Sequence, residues 1–183
     1  GIVNSKQSFA ENNNNKSFCG LFAYNINSDF SLSYAGIIGN EEAIGSKTYF
    51  LSNICANATL AKGLEAKAQF DIATKEDAKY DAGEFKSATY TGLSAQIRYS
   101  FVQNIRSTFR AALFDDEDGA NGAGIKGTQF TLGIEFTPNK NSYIRLEGDL
   151  MNLDDKYKMF TDKDDKPTNK RMSIALSMGI WID

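Results

Sequence analysis

Residues 129–151 read QFTLGIEFTPNKNSYIRLEGDLM. Phe130, Leu132, Ile134 and Phe136 alternate with Gln129, Thr131, Gly133, Glu135 and Thr137. After PNKN the alternation resumes, with Ile144, Leu146, Gly148 and Leu150 set against Arg145, Glu147 and Asp149. Side chains alternate faces along a strand, so this is a β-hairpin with one apolar and one charged face. A slip of one residue would exchange the faces, so the pattern specifies register as well as strand type.

The same alternation recurs outward in both directions. Towards the N-terminus it appears in Phe18, Gly20, Phe22, Tyr24 and Ile26, and again in Phe30, Leu32, Tyr34 and Ile38. It is cleanest in Leu64, Ala66, Ala68, Phe70 and Ile72, which oppose Glu65, Lys67, Gln69 and Asp71. Leu93, Ala95, Ile97, Tyr99 and Phe101 oppose Ser94, Gln96 and Arg98, and Ile105, Phe109, Ala111 and Leu113 oppose Arg106, Thr108 and Arg110. Met172, Ile174, Leu176, Met178, Ile180 and Ile182 close the series. Residues 48–60 alternate poorly, because Tyr49, Leu51 and Cys55 fall on the side expected to be polar. Residues 1–9 read as part of a further strand, which brings the total to ten.

Tight turns are expected at 27–28, 61–63, 103–104 and 138–141. Between them lie long polar stretches at 10–16, 39–47, 74–87, 115–126 and 152–170, with the mixed-charge run 161–170 expected to be mobile. Short and long connections thus alternate, as in a transmembrane barrel with short periplasmic turns and long extracellular loops. The expected fold is all-β, an antiparallel up-and-down transmembrane β-barrel of ten strands forming one domain over 1–183.

Composition narrows the function. The chain has 183 residues, two prolines and a net charge of −3, with no basic excess of the kind that marks a nucleic-acid surface. Histidine is absent and cysteine occurs twice, which removes Ser-His-Asp and Cys-His catalysis and His-based zinc sites. Cys19 and Cys55 fall two strands apart, roughly 9–10 Å, beyond disulfide reach, so both are expected as free thiols. No apolar run is long enough for a membrane helix, but a membrane strand needs only ~9–11 residues, half of them apolar. The N-terminus has no charged region followed by an apolar one, so an export signal is expected to have been removed.

Periodicity does not say which face is inside. A soluble up-and-down barrel binding an apolar ligand, as lipocalins do, would turn the apolar face inward, whereas an outer-membrane barrel turns it to lipid. Loop asymmetry favours the membrane. So do Phe18, Phe30, Tyr99, Phe101, Phe130, Phe136 and Tyr143, placed near strand ends where interfacial girdles form.

Three stretches carry a resemblance: AENNNNKSFCGLFAYNINSDFSLSYAGIIGNEE (10–42), FDDEDG (114–119) and FTLGIEFTPNKNSYIRLEGDL (130–150). They resemble the C-terminal part of the OmpL-like β-barrel porins of Gram-negative outer membranes. The resemblance implies a passive diffusion channel for small polar solutes, with outer-membrane lipids around it. Members of that family are usually longer, so it also implies strands before Gly1. The ending Trp181-Ile182-Asp183 departs from the aromatic terminus usual in such barrels.

On the membrane reading the lumen-facing candidates are Glu65, Lys67, Asp71, Arg98, Arg106, Arg110, Glu135, Arg145, Glu147 and Asp149. They would either tune which solutes pass or pair across a narrow interior that side chains fill, since aqueous channels belong to barrels of about 16–18 strands. No catalytic constellation, metal site or cofactor motif is expected. An outer-membrane enzyme using Glu147 and Asp149 is the remaining, weaker reading. The run Asp115-Asp116-Glu117-Asp118-Gly119 lacks the spacing and closing Glu of an EF-hand loop, and is expected as a solvated loop.

Overall fold

The computed structural model describes residues 1–3, 16–40, 47–122 and 124–181. The expected strand at 4–9, most of the 10–16 loop, residues 41–46 and the final Ile182-Asp183 lie outside the described residues. Twelve strands are described: β1 (Ile2–Val3), β2 (Ser17–Asn25), β3 (Phe30–Asn40), β4 (Thr48–Ala61), β5 (Leu64–Asp81) and β6 (Glu84–Val102). Then follow β7 (Ile105–Asp115), β8 (Lys126–Asn139), β9 (Ser142–Leu153), β10 (Phe160–Thr161), β11 (Pro167–Thr168) and β12 (Lys170–Ile180).

Ten of them form one antiparallel up-and-down sheet in the order β1 to β9 and then β12, while β10 and β11 pair as a separate small hairpin. Among the described residues β1 pairs with β2 and β12 with β9, and no pairing joins β1 to β12. The opening hairpin has the expected register, with Leu132 opposite Gly148, Ile134 opposite Leu146 and Glu135 opposite Arg145.

The tight turns fall where expected. At the first, the Asn27 side-chain oxygen accepts the amides of Asp29 (2.9 Å) and Phe30 (2.8 Å), an Asx turn that only a short polar side chain makes. At the second, Gly63 has φ 78, where a Cβ would be strained, and its carbonyl accepts the Ser100 amide.

Three long stretches differ from expectation. Residues 74–87 are not a loop: β5 and β6 run on to a two-residue turn at Ala82 (φ 54) and Gly83 (φ 91). Two positive φ values make a turn whose twist matches that of the flanking strands. The segment is polar on both faces, so the apolar marker of a strand is missing although the pairing is not. Residues 152–170, expected as an irregular loop, contain a small hairpin. Phe160–Thr161 pairs with Pro167–Thr168, and Asp162 accepts the amides of Asp164 (2.8 Å) and Lys166 (2.9 Å) across the turn. In the acidic stretch, Asp116 is 1% exposed rather than solvated, and accepts the amides of Asn121 (3.0 Å) and Gly124 (3.3 Å).

The described chain divides into two compact units, residues 1–56, 69–93 and 114–126 in one and 57–68, 94–113 and 127–183 in the other. In the first, Tyr49, Cys55, Ala73, Ala88 and Ala120 are buried. The irregular alternation of 48–60 is explained here, because Tyr49 on the polar side is satisfied by donating to Asn121 Oδ1 at 2.8 Å. Cys19 and Cys55 are free thiols. In the second unit the usual sense of burial is inverted. Leu132 (59%), Ile134 (54%) and Leu146 (51%) are exposed, while Glu135 between them in sequence is 5% exposed. No described helix is long and apolar enough to cross a membrane, which says nothing of strands.

Candidate functional site: a charged strip on β6 to β9

The site lies within the second unit, on the polar face of neighbouring strands. Because that face recurs every second residue, Gln96 and Arg98 on β6 stand with Arg106, Thr108 and Arg110 on β7. On β8 it carries Gln129, Thr131, Gly133 and Glu135, and on β9 Arg145, Glu147 and Asp149. The register sets Arg145 opposite Glu135, Glu147 opposite Gly133, and Asp149 opposite Thr131. β12 places only Ser173, Ala175 and Ser177 beside Asp149, Glu147 and Arg145, so small residues flank the charges on that side.

Glu135 is the hub. Its Oε1 accepts Arg106 Nε at 2.5 Å and the same guanidinium's Nη2. Its Oε2 accepts Arg145 Nε at 2.7 Å, again with Nη2. Each guanidinium thus spends one edge of its fork on one carboxylate oxygen, an arrangement stronger and more directional than a single ion pair. The carboxylate side chain is 6% exposed against 35% and 40% for its partners. A charge so shielded is tolerable only because it is doubly paired. Tyr143, whose ring lies against Gly179, in turn receives the Arg145 guanidinium over its face at 5.2 Å.

Arg98 pairs with Glu65 on β5. Together Gln96, Arg98, Arg106, Thr108, Gly133, Glu135, Arg145 and Glu147 line a polar hollow of about 120 Å³. Gly133 makes room for it: a Cβ there would stand 3.3 Å from Glu147 Cγ, over which space the glutamate now lies. Next along the strip, Arg110 Nη2 donates to Gln129 Oε1 and Thr131 Oγ1, both at 3.2 Å. Gln129 Nε2 (2.8 Å) and Thr131 Oγ1 (2.9 Å) donate onward to Asp149 Oδ1.

Of the ten sequence candidates, the structure brings Arg106, Glu135 and Arg145 into one cluster, pairs Arg98 with Glu65, and sets Glu147 in the hollow beside them. Arg110 and Asp149 share the Gln129–Thr131 bridge. Lys67 is exposed and joins none of these groups. Asp71 belongs to the first unit, where Asn53 (2.6 Å) and Gln69 (3.0 Å) donate to it. The ion pairs observed among these residues run between adjacent strands of the sheet. Sequence reasoning missed Gln96, Thr108, Gln129, Thr131 and Gly133, although their phase on the polar face was visible.

A family model described as "Putative beta-barrel porin-2, OmpL-like" matches residues 1–180. No curated protein matches the chain. Among solved structures, the NanC porin in a rhombohedral crystal form is similar over 92% of this chain and 79% of that one, with a TM-score of 0.63 and 9% sequence identity. At that identity the likeness speaks for the fold alone.

Proposed function

The chain belongs to the OmpL-like β-barrel porin family, and from that premise we propose that it is a Gram-negative outer-membrane porin that lets small polar solutes diffuse through its interior. The carrying observation is the inverted burial on β8 and β9, where leucine and isoleucine are exposed and a glutamate is covered. Exposed aliphatic faces suit lipid, and the covered polar faces suit an aqueous lumen. An apolar-ligand barrel of the soluble kind requires the opposite sense of burial.

In this reading the sheet closes into a barrel. Turns 26–29, 62–63, 103–104 and 140–141 face the periplasm, and the β5–β6 hairpin, the 116–125 loop and the 154–169 segment face outward. Tyr99 and Phe101, in edge-to-face contact at 5.0 Å beside the 103–104 turn, fit the periplasmic aromatic girdle. The strip's ion pairs form between sheet neighbours, so they need no narrow lumen to be satisfied. That favours passage over a filled interior. The observed groups supply charge and hydrogen bonds to a passing solute but no nucleophile with a matched base, so the porin acts without chemistry on its cargo.

Single-channel recording on the purified, refolded chain in planar bilayers tests the proposal. Steady conductance is expected; reproducible insertion with no conductance would reject the channel. Recovery of the protein in the soluble fraction without detergent would reject the membrane location.

A further inference from the structure

Resting on the porin reading, the geometry points to Arg110 as the residue that directly contacts small oxyanions, carboxylates or phosphates, as they pass. Four arginines stand on the polar face of β6, β7 and β9. Arg98 is matched to Glu65, and Arg106 and Arg145 are both matched to Glu135. Arg110 alone of the four has no carboxylate. Its hydrogen bonds run from one terminal nitrogen to two neutral oxygens at 3.2 Å, the long end of the range.

The reason lies in the register. The nearest matching acid on the strip, Asp149, sits on β9 beyond β8, two strand spacings or roughly 9–10 Å away. Its Oδ1 already accepts both Gln129 and Thr131. Gln129 and Thr131 therefore fill the space between the two charges and hold them apart, while steadying the arginine through Nη2. Thr131 can do both because its hydroxyl donates once and accepts once. Nε and Nη1 of Arg110 donate to no protein acceptor among the described residues. With no carboxylate beside it, the Arg110 charge is left to a passing anion, and Nε and Nη1 can each donate to an oxygen of a carboxylate or phosphate, whereas Arg106 and Arg145 have spent Nε and Nη2 on Glu135.

The test is block of potassium chloride current in planar bilayers by added inorganic phosphate, repeated with acetate to read carboxylates. The wild-type channel is expected to show concentration-dependent block. Arg110→Gln is expected to raise the half-blocking concentration on the order of tenfold, the size of one lost charge-assisted contact. Arg110→Lys, which keeps the charge but not the separate Nε and Nη1 donors, should fall between. Lys158→Gln changes net charge equally from the exposed 154–159 segment and should leave block unchanged. Circular dichroism in detergent checks that each variant keeps its strand content. Block in Arg110→Gln equal to wild type, or lost equally in Arg98→Gln, would overturn the assignment. A conducting wild-type channel that neither anion blocks would also overturn it and leave the porin reading standing, while a chain that never conducts would remove both.

Discussion

On β7 to β9, Glu135 is held by two guanidiniums at 6% side-chain exposure, whereas along the β5–β6 hairpin Lys79 meets Asp118 at 45% and 32%. Both are ion pairs of a carboxylate, and they differ in solvent exposure and in the number of cations that hold it. In the strip, each member is partly shielded and multiply bonded, so losing one strands another. On the hairpin, water and salt compete for both partners, and such a pair contributes little. The hairpin draws its order from elsewhere: Tyr80 packs edge-to-face on Phe85 at 5.1 Å, Lys47 lies over the Phe85 ring at 4.9 Å, and the Thr48 amide donates to Glu76 at 2.9 Å. The comparison teaches that a charge's place in the sheet, more than its identity, decides what it is worth.

The largest effect expected tests which face is shielded. Leu132→Arg puts a cation on the exposed apolar face and should cost about 2–4 kcal/mol of folding into bilayers, read by urea titration in lipid vesicles. Thr131→Arg places the same charge beside Asp149 and should cost far less. Equal losses would break the face assignment on which the comparison stands.

Next in size is the hub itself. Glu135→Gln leaves two guanidiniums without a carboxylate, and since both are more than a third exposed the cost should be roughly 2–3 kcal/mol, below the value for a fully buried pair. Lys79→Ala, by contrast, should leave the same titration unchanged. If the two substitutions behaved alike, solvent exposure would not be the variable that separates the regions.

A smaller and local effect is expected at Asp116, the buried acid of the 115–119 run. Asp116→Ala removes the acceptor for the Asn121 and Gly124 amides and should lower the opening free energy of the 116–125 loop by about 1–2 kcal/mol. Hydrogen exchange at those two amides is the measure, and unchanged protection would show that the loop's backbone bonds suffice.

The smallest concerns pH. The Glu76 carboxyl is held below the usual carboxylate range, first by the Thr48 backbone amide and then by its hydroxyl. Since the folded value is lowered, the contact is fully present above the usual carboxylate range and is lost as pH falls through the lowered value. Protection of the Thr48 amide should follow that course, and protection that stays flat as the pH falls would break the link to Glu76.

Much of this was readable beforehand. Alternation around Leu132 and Leu146 placed residues 129–136 and 144–150 on their observed faces, and Asn27, Gly63 and 103–104 marked turns through their own backbone preferences. Residues 74–87 were not readable as strands because Lys75, Glu76, Asp77 and Lys79 put polar groups on both faces, which erases the apolar period. Pairing partners were not readable either. Nothing in the spacing says that Glu135 takes both Arg106 and Arg145 while Arg110 takes Gln129 and Thr131, since that depends on the stagger of three strands.

The sequence by itself determined the period of two, and with it which residues share a face, because strand geometry leaves adjacent side chains no other choice. Only the tertiary structure decided which face is shielded and which charges are spent. Alternation is unchanged when inside and outside are exchanged. The covering of Glu135, the exposure of Ile134 and the separation of Arg110 from Asp149 arise from neighbouring strands brought into register, and no single strand contains that information.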